Sequence, residues 1–198
     1  SEPMKHSHLK LLLLSAFLLQ AGQGQLASAD EQVTHNLSEA QKLAREFNAR
    51  LRAKLHLAIA EEGPLGAIHI CATHAPGIAE RLQEQHITVK RTSDRLRNPE
   101  NAPDIWEQRI LTFFEQEREA GADSANLEFY AQFIDERGTV FRYARAIPTG
   151  AECLMCHGDN LAPDIAAELA RRYPEDKAKG YMAGDIRGMV SITIRELN

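Results

Sequence analysis

Residues 127–147, LEFYAQFIDERGTVFRYARAI, indicate the fold class most directly. Its first half alternates apolar and polar residues, which is typical of a strand with one buried face; the apolar positions are Leu127, Phe129, Ala131 and Phe133. A turn follows at Asp135-Glu136-Arg137-Gly138, and residues 139–147 run back as a second strand. The segment therefore predicts a β-hairpin in an antiparallel sheet.

A long amphipathic helix is expected ahead of the hairpin. Its apolar residues recur at steps of three and four, and Gly63-Pro64 ends it after about 25 residues. The apolar positions are Leu37, Ala40, Ala44, Phe47, Leu51, Leu55 and Ala58. Such a helix either packs on the sheet or pairs with its copy in a homodimer, and the sequence alone does not choose.

The remaining elements are shorter. We expect a helix opened by Pro76, a weak strand at 87–91, a helix opened by Pro103, a helix from Pro163 to Arg172, and a last strand at 190–195. The apolar face of the Pro103 helix is predicted to comprise Ile105, Trp106, Ile110, Phe113 and Phe114. This order of helices, hairpin, helix and strand predicts one α+β domain over residues 30–198.

Residues 1–29 predict a cleaved signal peptide. Lys5 and Lys10 flank the start of an apolar run whose core, 11–19, is shorter than the roughly 20 residues that span a bilayer. Ala27-Ser28-Ala29 follows, so we expect cleavage after Ala29 and export to the periplasm. The alternative is a buried N-terminal helix. Ser1-Glu2-Pro3, ahead of Met4, is interpreted as a cloning remnant or an upstream start.

The charge balance and the cysteines narrow the class of protein. The chain of 198 residues has a formal net charge of −5, which argues against general binding of nucleic acid, because phosphate contacts need a basic surface. Three cysteines are too few for a disulfide scaffold and odd in number. Two of the three lie in one short motif.

That motif, Cys153-Leu154-Met155-Cys156-His157, has the C-x-x-C-H spacing of c-type haem attachment. The two thiols would form thioethers with the two vinyl groups of one haem, and His157 would be the proximal ligand of the iron. A zinc site is the first alternative, although structural zinc sites take four protein ligands and no second C-x-x-C is present. A disulfide or redox-active cysteine pair is the other alternative.

Cys71 would then be the leftover cysteine in an oxidising compartment. It is either an inert buried residue or the second, distal ligand of the iron. Other candidates for that position are His74, Met155, Met182 and Met189. We expect the remaining histidines of the mature chain to be surface or packing residues: His35, His56, His69 and His86.

Several separate stretches together resemble one family. They are 70–76 (ICATHAP), 91–93 (RTS), 97–103 (RNPENAP) with Trp106-Glu107, 153–158 (CLMCHG), 173–176 (YPED) and 184–188 (GDIRG). The chain is similar to the exported c-type haem proteins with a PAS-like domain, first catalogued as a domain of unknown function.

The resemblance covers nearly all of the mature chain and implies a PAS-like fold with one covalent haem c. It also implies, for some members, iron held by the motif histidine and by a cysteine that precedes an Ala-Pro pair. Here those residues are His157 and Cys71, which precedes Ala75-Pro76. Arg91, Arg95 and Arg97 either meet the haem propionates or belong to a turn with solvated charges.

Two functions remain open at this point. With both axial positions filled, the iron would not bind substrate readily, so we expect no enzyme. A redox or gas sensor, for example of nitric oxide, is favoured because Cys71 could leave the iron on reduction; a partner protein would then supply the output. The alternative is a small electron-transfer cytochrome, which would keep both ligands in both redox states.

Overall fold

A computed structural model describes the backbone of residues 8–68 and 70–196 and the side chains of 30–68, 70 and 74–196. The side chains of the expected signal peptide, and that of His69, lie outside these residues. In chain order the elements are α1 (His8–Ala67), α2 (Ile70–Leu82), β1 (Ile87–Thr92), α3 (Ile105–Glu119), β2 (Glu128–Asp135), β3 (Gly138–Pro148), α4 (Leu154–His157), α5 (Pro163–Arg172) and β4 (Ile186–Arg195).

The four strands form one antiparallel sheet in the order β1-β4-β3-β2. β2 and β3 are the expected hairpin, which closes at the pair Asp135↔Gly138. β4 pairs with β3 on one side and with β1 on the other, so Ile192 lies between Tyr143 and Val89. The expected PAS-like α+β fold, an antiparallel sheet with flanking helices and a long N-terminal helix, is confirmed.

One face of the sheet is covered by α1 and α2. Phe47 of α1 and Ile78 of α2 are buried against Val89, Tyr143 and Ile192 of the strands. The apolar stripe of α1 is therefore used within the chain, so of the two arrangements left open by the sequence, the structure shows packing on the sheet. The helical backbone breaks at Gly63, where φ is 73°, and one further turn leads to α2.

α3 covers the other face, and here one expectation is wrong. Ile110 and Phe114 pack against Met189 as expected, but Ile105 is 77% exposed. The helix begins at Ile105, after an N-cap at Asp104 whose carboxylate accepts a hydrogen bond from the Glu107 amide. Pro103 precedes this cap, and Ile105 in the first turn points away from the sheet.

A buried carboxylate ties α3 to the strands. Glu107 is 2% exposed. It accepts a hydrogen bond from Lys90 of β1 at 2.8 Å and one from Arg142 of β3 at 3.3 Å. Because a buried charge needs paired partners, this network fixes α3 across two strands.

The hairpin's outer strand is less buried than its alternation suggests. β2 lies at the edge of the sheet, and Phe133 and Ile134 are 40% and 81% exposed. Among the described residues, no helix combines the length and apolar character needed to cross a membrane.

The tight pairing of β4 with β1 generates a test of the fold. Gly188 has φ of 144°, and an added Cβ would lie 2.3 Å from the carbonyl oxygen of Thr92. We expect Gly188→Ala to lower the free energy of unfolding by roughly 2–4 kcal/mol, because it combines a disfavoured φ with a clash between paired strands. Chemical denaturation measures this change.

The matched control is Gly77→Ala in α2, where the nearest atom to an added Cβ is 3.8 Å away. This variant should be as stable as the parent or slightly more stable, since alanine favours helix. Equal stability of the two variants would contradict the close approach of β1 and β4.

Candidate functional site

The C-x-x-C-H motif lies on a single tight turn after β3. A 3-10 turn at Ala151–Cys153 runs directly into α4, which ends at His157. Residues three apart lie on the same side of a helical turn, which places the Cys153 and Cys156 thiols on one side. Both cysteines are half-buried, whereas His157 is 5% exposed.

This turn forms one wall of a mostly apolar cavity. The cavity encloses about 940 Å³ of space, a volume that includes its open mouth. Leu51, Leu55 and Ile59 of α1 face the turn across it, and Ile147 and Pro148 close it at the end of β3. The charged residues lining it are Arg52, Arg91, Arg97, Glu152 and Arg187.

His157 is held as a neutral imidazole with one nitrogen left for a ligand. Its Nδ1 lies 2.7 Å from the carbonyl oxygen of Ala178. A carbonyl only accepts, so Nδ1 carries the proton and Nε2 keeps its lone pair. Burial, followed by the positive charges of Arg187, Arg97 and Arg91, holds the pKa of His157 well below its usual range. Metal-binding histidines commonly donate their other ring N–H to a carbonyl in this way.

The segment of residues 176–181, which precedes β4, contacts His157 through its backbone and through one aromatic ring. The amide of Tyr181 donates to the carbonyl of His157 at 2.9 Å, and the amide of Gly180 donates to that of Gly158 at 3.3 Å. The Tyr181 ring also meets the imidazole edge-on, with ring centroids 6.2 Å apart. The backbone of this segment therefore fixes both the position and the tautomer of His157.

Arg97 joins this segment to the cysteine turn. Its guanidinium donates to the carbonyl of Cys156 at 2.6 Å and to the carboxylate of Asp176 at 3.0 Å. The ion pair is buried, with side chains 5% and 0% exposed. Arg97 thus bridges residues 156 and 176, and Asp176 also accepts a hydrogen bond from the Ala178 amide at 2.9 Å.

The three arginines singled out in the sequence have different surroundings. Arg91 and Arg97 line the cavity. Arg95 is exposed and is not among the described lining residues; it donates to the carbonyls of Lys179 and Gly180 and stacks over Tyr181 at 4.2 Å. Arg95 therefore stabilises the segment of residues 176–181 that contacts His157.

Cys153, Cys156 and His157 lie together on the turn that ends at α4. The backbone of Cys71 belongs to the first turn of α2, and its side chain lies outside the described residues. Of the other candidate ligands, Met155 lines the cavity, Met182 is 65% exposed, and Met189 is buried on the α3 face of the sheet. Half-buried His74 follows in α2.

Sequence reasoning missed three contributors to the site. Ala178 acts through its backbone carbonyl, which no side-chain pattern marks. Asp176 and Arg187 lie in two of the stretches that resemble the family, so the sequence marked these residues but assigned no role to them. The structure assigns Asp176 to Arg97 and places Arg187 in the cavity wall.

These residues fit the group that the motif predicts. Apolar walls suit a porphyrin, the Nε2 lone pair of His157 suits iron, and arginine side chains suit the porphyrin's carboxylates. Among the described residues, no cluster of three or more histidine, cysteine or acidic side chains could hold a metal ion alone.

Comparison with known proteins agrees with the family resemblance. The family described as Tll0287-like: Tll0287 matches residues 21–195. The solved structure of the cyanobacterial haem protein Tll0287 is 25% identical, with a TM-score of 0.57 and coverage of 84% of this chain and 96% of that one. No curated protein matches this chain. The family match spans most of the sequence, so the chain belongs to the Tll0287-like family.

Proposed function

We propose that this chain is an exported c-type haem protein that carries one covalent haem. The observation that supports this most strongly is the C-x-x-C-H turn in the wall of an apolar cavity, with His157 Nδ1 bonded to a carbonyl and Nε2 available. The related solved structure is that of a haem protein. The sequence features of residues 1–29 support export to the periplasm.

Cys153 and Cys156 would attach the haem by addition. Each thiol adds S–H across one vinyl double bond, so sulfur bonds to one carbon, hydrogen goes to the other, and no oxidant is needed. Arg97 holds the carbonyl of Cys156 and thereby the turn that presents both thiols. The expected product is a haem that stays attached to the chain after the protein is denatured.

His157 and Cys71 would be the two axial ligands. His157 needs no deprotonation to bind iron, because its lowered pKa keeps the imidazole neutral. The choice of Cys71 follows from the family resemblance. Its backbone lies in the first turn of α2, three residues after the cavity-lining Ile68. Two filled positions leave no site for substrate, which supports a non-enzymatic role.

A sensory role follows from what Cys71 would do. The haem supplies a one-electron redox couple and an iron that can exchange a ligand. Reduction of the iron by an external electron donor would weaken its hold on a thiolate, so Cys71 would take up a proton from solvent and leave as the neutral thiol. Because Ile78 and Leu82 of α2 lie in the same core as α1 and the sheet, release of Cys71 would act on that core. A partner protein would read the change.

The second candidate is a small electron-transfer protein. The open mouth of the cavity, where Met155 is 37% exposed, would bring the edge of the haem within reach of a redox partner. This function requires that both ligands stay bound in both redox states. Ligand retention therefore separates the two candidates.

The covalent attachment is tested first. Made in a host with haem-attachment machinery, the wild-type chain should keep haem after denaturation, and the double variant Cys153→Ala/Cys156→Ala should lose all of it. Haem staining of a denaturing gel and the intact mass report this. Met155→Ala, between the two cysteines, is the control and should keep the haem. Absence of haem from the wild type would disprove the proposal.

The second ligand is tested by the ferric spectrum. Wild type should show a thiolate-type spectrum that Cys71→Ala abolishes while the covalent haem remains. Met182→Ala, at an exposed rival ligand, should leave the spectrum unchanged. If Cys71→Ala has no effect, Cys71 is a packing residue.

The choice between sensor and electron carrier is tested in the reduced state. A sensor that releases Cys71 should bind carbon monoxide after reduction with dithionite, visible as a shift of the main absorption band. Cys71→Ala should bind it too, which serves as a positive control. A reduced wild type that excludes carbon monoxide would favour electron transfer.

A further inference from the structure

Arg91 occupies a position where the strand pattern calls for an apolar residue. Side chains of a strand alternate between faces, so Ile87, Val89 and Arg91 of β1 share the face that packs against α1 and α2. Ile87 and Val89 are part of the core there. Arg91 stands opposite Val190 of β4 and extends the same row into the cavity.

The Arg91 side chain is buried, since the residue is 8% exposed, and the residues that the structure describes offer its Nε no hydrogen-bond acceptor. No carboxylate of those residues lies within ion-pair distance of it either. Lys90, on the opposite face of the same strand, reaches Glu107 at 2.8 Å.

The other charges of the cavity do not neutralise Arg91. Arg97 is paired with Asp176 at 3.0 Å, and Arg52 lies 3.8 Å from Glu152, the one carboxylate among the described lining residues. Arg187 donates to the Ser93 hydroxyl at 3.2 Å and adds positive charge to the same wall. The cavity therefore carries an excess of positive charge centred on a buried arginine.

We propose that Arg91 is the anion-binding residue of this cavity and pairs with a carboxylate of the bound porphyrin. The inference rests on the proposed function and fixes which arginine holds a propionate. A buried cation without a partner is costly, and a guanidinium is shaped to hold a carboxylate through two hydrogen bonds. Arg97 and Arg95 instead hold the protein's own carbonyls and therefore have positioning roles.

The experiment compares two porphyrins that differ only at their carboxylates. The full chain, produced without haem-attachment machinery, is titrated with iron(III) protoporphyrin IX and with its dimethyl ester. Wild type should prefer the diacid by about 10- to 100-fold, the size expected for a charged hydrogen-bonded pair. Arg91→Gln should lose most of this preference through weaker binding of the diacid, and Arg91→Lys should keep part of it.

Arg109→Gln is the matched control, since Arg109 is an exposed arginine of α3 on the other side of the sheet. It should bind both porphyrins as wild type does. If Arg91→Gln retains the wild-type preference, or if wild type binds diacid and ester equally, the anion-binding role is refuted while haem binding stands. If wild type binds neither porphyrin and also lacks covalent haem, the proposed function itself fails.

A second readout separates anion binding from a structural role. Removal of a buried unpaired cation should leave the thermal unfolding of the apoprotein unchanged or raise its Tm. In the covalently loaded protein, Arg91→Gln should add a pH dependence of the midpoint potential between about pH 5 and 8, beyond the dependence that protonation of Cys71 gives the wild type, because the propionate would no longer be held ionised. A lowered apoprotein Tm together with a wild-type pH profile would overturn the proposal.

Discussion

The hydrogen bond from His157 to the carbonyl of Ala178 is the interaction on which the rest of the site depends. It fixes the proton on Nδ1, and burial beside three arginines keeps the ring neutral. A neutral, oriented imidazole is what an iron ligand must be. The same bond requires that residues 176–181 lie against α4, since the acceptor is a backbone atom from a segment 21 residues away.

Arg97 stabilises the contact between residues 176–181 and α4. Its buried ion pair with Asp176 and its hydrogen bond to the carbonyl of Cys156 join that segment to the cysteine turn. The site is therefore a rigid turn held from two sides, with α1 closing the cavity across from it. In such an arrangement the moving part of the proposed redox response would be Cys71, the proposed second ligand on α2, rather than the turn that carries the two other cysteines.

Individual elements show which parts of the fold the sequence pattern predicts and which it does not. The hairpin, the buried face of α1 and the final strand follow from alternation and helical periodicity, because burial on one face imposes those periods. The same rule fails at Ile105 and Phe133, which are both exposed: Ile105 lies in the first turn of a helix and Phe133 lies on an edge strand. Helical period alone also did not reveal the capping role of Asp104, which sets where α3 begins.

From the sequence it follows that two thiols and an imidazole share one turn, because the residues of the C-x-x-C-H motif are contiguous and their geometry is local. The sequence also indicated the family, through motifs in a fixed order. The different roles of the three arginines follow only from the folded chain. Arg91, Arg95 and Arg97 are only a few residues apart in the sequence. Arg91 enters the cavity, where its Nε has no hydrogen-bond partner among the described residues, Arg95 supports a loop, and Arg97 bridges two segments. The partners that distinguish them lie in residues 156–180, far along the chain, and folding alone brings them together.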